Sequence, residues 1–223
     1  MKDYLDILKN CKLFENIDEE NLLALLSCIG AEVRSYQKSQ YVFSEGEPVT
    51  HIGLMLSGTV QIVRIDFYGN RSIVARIEPP QLFGESFACT ETKSIPVNVI
   101  AEKDCKIMLI DSRKILQPCC NTCECHNNII YNLMKEIASK NLLLNQKIEI
   151  LSRRTTREKL MTYLLMQAKQ NNSSFTVPYN RQELADFLEV DRSGLSAEIS
   201  RLRKENVIEC KRNYFRLLKK QNI

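Results

Sequence analysis

The sequence predicts an α+β chain: antiparallel strands first, then one long helix, then a small domain of short helices closed by a hairpin. Three observations carry this. Between residues 41 and 110 short apolar runs alternate with turn signals at near-regular spacing, as in an antiparallel sandwich or barrel. From 127 to 152 apolar residues recur in alternating steps of three and four, the period of a long helix with a coiled-coil seam. From 179 to 217 two amphipathic helices are followed by two strand-like runs, the pattern of a winged helix-turn-helix.

In chain order, residues 3–9 and 18–29 read as short helices, the second with Leu22, Leu25, Leu26 and Ile29 on one face. The period changes from Ser35 onward. Strands are expected over 41–43, 51–56, 60–63, 73–77 and 105–110. Between them lie Glu45-Gly46-Glu47-Pro48, Ser57-Gly58, Gly69-Asn70 and Pro79-Pro80, all turn formers.

The long helix carries Ile130, Met134, Ile137, Asn141, Leu144, Ile148 and Leu151 along one seam. One polar residue, Asn141, on so apolar a line fits a two-stranded, in-register pair, because a buried Asn fixes register at a cost in stability. A second stripe, Ile129, Leu133 and Leu143, is placed to pack on the strands. Ser152 to Thr156 is a polar, basic hinge, and Thr155 or Thr156 can cap a helix over 157–170. A loop then leads to a strand at 175–177.

In the next stretch Asn180 and Glu183 have the spacing of a capping box, and Leu184, Phe187 and Leu188 give the first helix its apolar face. Glu189-Val190 makes the turn and Asp191 can cap the second helix. There Leu195, Ile199 and Leu202 face inward, while Arg192, Ser193, Ser196, Ser200 and Arg203 share the opposite side. Small hydroxyls fit close to base edges and Arg can bond guanine through two hydrogen bonds, so this face suits a DNA groove. Val207-Ile208 and the run 214–217 read as two strands around a turn near Asn213, the wing.

Composition agrees with this division. Of 223 residues 44% are hydrophobic, enough for a full core, and no run of eighteen apolar residues suggests a membrane span. The opening MKDYLDILKNCKLF lacks the apolar core of a signal peptide, so a cytoplasmic location is expected. Net charge is +4, but residues 153–223 hold 15 Lys and Arg against 8 Asp and Glu, hence +7, which leaves 1–152 at −3. The basic end coincides with the helix-turn-helix, as binding to phosphates requires. Nine cysteines without a secretion signal argue for reduced thiols or a metal site, not a disulfide framework. Nothing resembles a nucleophile–base pair or a nucleotide-phosphate loop, so no enzyme is expected.

VFSEGEPVTHIGLMLSGTVQIVR, FYGN and LFGES, read with RQELADFLEV and DRSGLS, make the chain similar to the cAMP-receptor-protein/FNR type of bacterial transcription regulator, from about Leu13 to Leu218. The resemblance implies a cyclic-nucleotide-binding-like jelly roll (the β-roll) over 1–126, a dimerisation helix over 127–152 and a winged helix-turn-helix over 153–223. It implies a homodimer on double-stranded DNA with a palindromic operator, and RNA polymerase as a partner. Matched to the family, Arg181 and Gln182 are phosphate contacts, while Arg192, Ser193 and Ser196 stand at the reading end of the helix. Ser193 and Ala197 replace the Glu and Arg with which the cAMP-receptor type reads bases, so a different half-site is expected. The other reading, a cyclic-nucleotide-binding-like control module of a non-transcriptional complex, does not account for the basic helix-turn-helix.

For an effector the resemblance offers a shell only. Gly84 and Glu85 match the start of the family's phosphate cassette, but ten residues on, where an Arg-Ser pair holds the cyclic phosphate, stand Ile95 and Pro96. These supply neither charge nor hydroxyl, and Pro lacks the N–H donor as well. Lys140 and Asn141 match helix positions that lean over the pocket. The effector is therefore left as an unknown small molecule or redox signal. Cys119, Cys120, Cys123, Cys125 and His126 place five soft ligands within eight residues. They suit zinc or an iron–sulfur cluster, a thiol redox sensor, or simple burial, and their spacing has neither zinc-finger pairs nor the N-terminal cluster of FNR. His51 and His126, the two histidines, make haem ligation the weakest option, and no cofactor is assigned.

Overall fold

Strand alternation sorts the N-terminal half into two sheets with apolar residues between and behind them. The computed structural model describes residues 2–90, 93–117, 124–171 and 173–218. Contacts divide the chain into two units, residues 1–70 with 74–141, and residues 71–73 with 142–223.

The first unit opens with α1 (Leu5–Lys9) and α2 (Glu19–Cys28), the latter capped by Asp18, whose carboxylate accepts from the Asn21 N–H at 2.9 Å. Strands β1 (Glu32–Tyr36), β2 (Tyr41–Phe43), β3 (His51–Ser57), β4 (Val60–Ile65), β5 (Arg71–Ile77) and β6 (Leu82–Phe83) follow. After α3 (Glu85–Ala88) come β7 (Asn98–Ala101), β8 (Cys105–Asp111) and α4 (Ser112–Leu116). The sheets run β1-β8-β3-β6 and β2-β7-β4-β5. All five expected strands are present. Strands β1, β6 and β7 go beyond the expectation: β1 is largely exposed and polar, and β6 is two residues long.

β3 explains how the sheets are covered. Every residue from Ile52 to Leu56 is buried. Ile52, Leu54 and Leu56 join a cluster with Leu8, Leu22, Leu25 and Leu26 of the helices, while Met55 joins Val60, Val99 and Ile107 between the sheets. A strand covered on both faces reads as an unbroken apolar run. Each buried Leu or Ile contributes about 1.5–3 kcal/mol. Gly58 (φ +78°) makes the turn from β3 to β4, and a Cβ there would meet the Asp104 carbonyl at 2.4 Å. Only glycine combines that left-handed backbone with so close an approach.

Helix α5 runs Glu124–Leu151, three residues earlier than its apolar period announces. Ile129 and Leu133 are buried in the first unit as expected, and the Asn132 amide donates to the Leu13 and Glu15 carbonyls at 3.1 and 2.8 Å. Leu143 is a correction: it is 58% exposed, because between Asn141 and Glu149 only Lys147 is even half-buried.

The second unit holds α6 (Thr156–Asn171), β9 (Ser174–Thr176), α7 (Arg181–Leu188), α8 (Arg192–Lys204), β10 (Ile208–Lys211) and β11 (Tyr214–Leu217). The start of α6 is fixed by Thr155: its hydroxyl accepts from the Glu158 N–H at 3.2 Å, and the Glu158 carboxylate accepts from the Thr155 N–H at 3.1 Å. Strand β9 completes a three-stranded antiparallel sheet, β10-β11-β9. Phe187 stacks on Tyr179 at 4.9 Å and meets Tyr163 at 5.4 Å. Lys147 of α5 sits over the Phe187 ring and donates to the Phe187 carbonyl, and its burial pulls the ammonium pKa down to about 8.

Candidate nucleic-acid interface

Two caps set the geometry of the helix pair. At α7 the Asn180 side chain accepts from the Gln182 and Glu183 N–H groups at 2.9 and 3.0 Å, and the Glu183 carboxylate accepts in return from the Asn180 N–H at 2.8 Å. Glu189 ends α7 in the left-handed conformation (φ +51°), which turns the chain toward α8. At α8 the Asp191 carboxylate accepts from the Gly194 N–H at 2.9 Å and from the Ser193 hydroxyl. Those bonds, the hydroxyl's first, hold the Asp191 carboxyl below its ordinary pKa, so the cap stays charged.

Leu195, Ile199 and Leu202 are buried under α8, as the period requires. Arg192, Ser193, Ser200 and Arg203 are exposed together on its outer side, with Ser196 half-buried beside them. The Ser200 hydroxyl donates to the Ser196 carbonyl at 2.9 Å. Small hydroxyls tied back to their own helix leave a low profile between two guanidinium groups. Gln182 is exposed on α7 and donates to Asp186 at 2.7 Å.

Arg181 does more than its position at the start of α7 suggests. Its guanidinium donates to the Arg212 carbonyl at 3.2 Å and to the Cys210 sulfur at 3.6 Å, and lies 5.9 Å from the Phe215 ring centre. It therefore fastens the wing to α7. Behind α8, Arg157 of α6 bonds Glu198 and Glu205, at 3.1 Å from one nitrogen to each. Arg201 reaches the other Glu198 oxygen at 3.3 Å. Glu198 is 8% exposed, and a buried carboxylate so placed needs its partners. The Arg181 and Arg157 bonds have no local sequence signature, since their partners lie 29 to 48 residues away, whereas Arg201 and Glu198 are three apart on α8.

In the first unit the other shell takes shape. Gly84 is left-handed (φ +79°) and a Cβ there would lie 2.8 Å from the Phe43 ring, so the tight turn is real. Glu85 follows, buried, with one oxygen bonded to the Lys140 ammonium at 2.8 Å and the other without a partner. Lys140 also donates to the Leu82 carbonyl at 2.6 Å. Ile95 is buried in the core, and its backbone is spent on Glu47 and Gly46, at 3.0 and 2.9 Å. Pro96 and Asn141 are exposed. Of the soft-ligand group, Cys119, Cys120 and Cys123 lie outside the described residues. Cys125 is half-buried against the core, and His126 is fully buried, with Nε2 3.2 Å from the Lys114 carbonyl.

Comparison with known proteins covers both halves. The pattern of the cyclic nucleotide-binding domain matches residues 33–119, and that of the Crp-like helix-turn-helix domain matches residues 158–222. cGMP-dependent protein kinase 2 of Mus musculus is 20% identical over 207 residues, 92% of this chain and 27% of the kinase. The chain thus spans about a quarter of the length of the curated relatives it matches first. The transcriptional activator protein FnrL of Cereibacter sphaeroides is 22% identical over 186 residues, 78% of this chain and 71% of FnrL. The c-di-GMP responsive global regulator CLP of Xanthomonas campestris superposes with a TM-score of 0.72 at 16% identity, covering 91% of this chain and all of that one (100%).

Proposed function

Since a chain that joins these two domains belongs to the Crp/Fnr type of DNA-binding transcription regulators, we propose that it acts as a cytoplasmic, non-enzymatic homodimer on a palindromic operator. The observation that carries the reading is the outer side of α8, where Arg192 and Arg203 flank Ser193, Ser196 and Ser200 with every large apolar residue of the helix turned inward. Arg192 and Arg203 read base edges, and the serines allow close approach to the groove floor. Gln182 and Arg181 position α7 on phosphates. Paired along α5, two such helices meet successive major grooves about 34 Å apart. The functional divisions are 1–126 for the sensor roll, 127–152 for the dimer helix and 153–223 for DNA binding. A signal in the roll, or at Cys119, Cys120, Cys123, Cys125 and His126, sets DNA affinity through α5, and RNA polymerase is the partner at promoters.

Selection from a random-sequence DNA library by the purified protein tests this. A two-fold symmetric consensus with half-site centres one helical turn apart is expected. Absence of any enriched sequence overturns the reading. It would then favour the control-module alternative, to which the kinase relatives give some weight.

A further expected result concerns cAMP. Ile95 is locked in the core and Pro96 has no N–H, so the cyclic phosphate finds no guanidinium or hydroxyl at these positions. Missing charge-assisted bonds in a buried site cost about 1.5–3 kcal/mol each, and two of them put affinity at least a hundredfold below a complete site. Titration calorimetry with cAMP at micromolar concentrations should show no isotherm; a micromolar isotherm would mean another residue takes the phosphate.

A further inference from the structure

The buried end of the roll contains an ion pair that fastens α5 from within. Lys140 reaches from α5 to two points of one strand–turn–helix segment, the Leu82 carbonyl of β6 at 2.6 Å and the Glu85 carboxylate of α3 at 2.8 Å. All three residues belong to the first unit. The Glu85 side chain is only 5% exposed, Lys140 is its sole ion-pair partner among the described residues, and its second oxygen has no hydrogen bond. Gly84, held at φ +79° against Phe43, allows little movement of the segment that presents Glu85. A carboxylate in that setting is held by a single cation.

We propose that Lys140 is a built-in occupant of the pocket shell, a positioning residue that latches the long helix to the roll by taking the Glu85 carboxylate that the shell would otherwise offer to a ligand. The proposal rests on reading the roll as the half that receives the signal, and says how that site is kept closed at rest. Residues around Lys140 are then ordered by the latch, while the more distal exposed stretch from Leu142 to Gln146 is not. Whatever signal acts at this end of the roll does so by separating Lys140 from Glu85.

Hydrogen–deuterium exchange on the full chain without DNA reads the latch directly, so its failure is separable from a failure of DNA binding. In Lys140→Met, exchange over residues 134–141 should rise at least tenfold while β3 and β8 keep their protection. Removing one member strands a buried charge, whereas removing both does not. The double variant Lys140→Met with Glu85→Leu should therefore return to within about threefold of wild type, as removal of the stranded charge allows. Unchanged exchange in Lys140→Met, or effects of the two substitutions that simply multiply, overturns the latch. If Lys140→Met fails to fold, Glu85→Gln carries the same test: exchange raised over 134–141 supports the proposal, and exchange at the wild-type rate overturns it.

Discussion

Leu144→Glu combined with Ile148→Glu is expected to leave the chain folded, monomeric and at least a hundredfold weaker on its operator. Both residues stand out from α5 in the single chain, 52% and 62% exposed, so neither contributes much to the fold of a protomer. Substitutions at such positions normally change stability by less than about 0.5 kcal/mol. In a parallel, in-register pair the same positions meet their copies, and four carboxylates would be forced onto a dry seam. Stranded charges in such a place cost about 3–5 kcal/mol, enough to empty a dimer at micromolar concentration. Met134, 65% exposed, stands on the same seam. Separated half-sites lose the effective concentration that linkage gives, which is why DNA affinity falls with the dimer. Sedimentation velocity gives the mass and fluorescence anisotropy the affinity. A variant that still sediments as a dimer would show that the coiled-coil assignment is wrong.

Arg192→Ala should relax sequence preference at one base pair of each half-site, by about 1–3 kcal/mol, or roughly fivefold to a hundred-and-fifty-fold in discrimination. Arg192 is exposed at the first position of α8 and its register is fixed by the Asp191 cap, so it has nothing to stabilise but its own contact. Arg181→Ala should act differently. Because the Arg181 guanidinium bonds the Arg212 carbonyl and leans on Phe215, its removal frees the wing and lowers affinity for every sequence alike. Selection profiles of the two variants compared side by side decide the matter: an unaltered consensus for Arg192→Ala means another residue does the reading.

Much of the helix pair was legible in the sequence because its determinants are local. A cap and its helix lie within three residues of each other, as do Asn180 with Glu183 and Asp191 with Gly194, and burial follows the 3.6-residue period at Leu195, Ile199 and Leu202. The strands at 51–57 and 105–111 were legible for a different reason: buried on both faces, they are runs of apolar residues with little polar interruption. Strand β1 escaped notice because an exposed edge carries no apolar alternation; its five residues, Glu32 to Tyr36, are polar or half-covered. Leu143 misled because a helix's apolar stripe says what it can cover, not how far along the helix a neighbour extends. The Lys140–Glu85 bond and the Arg157 network were invisible in principle, since a Lys or Arg pattern is the same whether its partner is solvent or a carboxylate 55 or 41 residues away.

The pairing of Arg157 and Arg201 with Glu198 has a consequence for how binding should respond to salt. Carboxylates on a groove-facing helix repel phosphate, but here they are neutralised from behind by protein cations. The guanidinium of Arg157 is in turn consumed by Glu198 and Glu205, so it displaces no condensed sodium or potassium from the duplex. Counterion release then falls to the cations that meet phosphate: Arg181 at the start of α7, Lys204 on α8, and Lys211 and Arg212 on the wing. If both protomers engage all four, log affinity should decline against log salt with a slope of about −7, since each neutralised phosphate contributes about −0.9. At that steepness a fourfold rise in salt lowers affinity by about four orders of magnitude. Occupancy of the operator is then tied to the ionic strength around it as well as to any ligand in the roll.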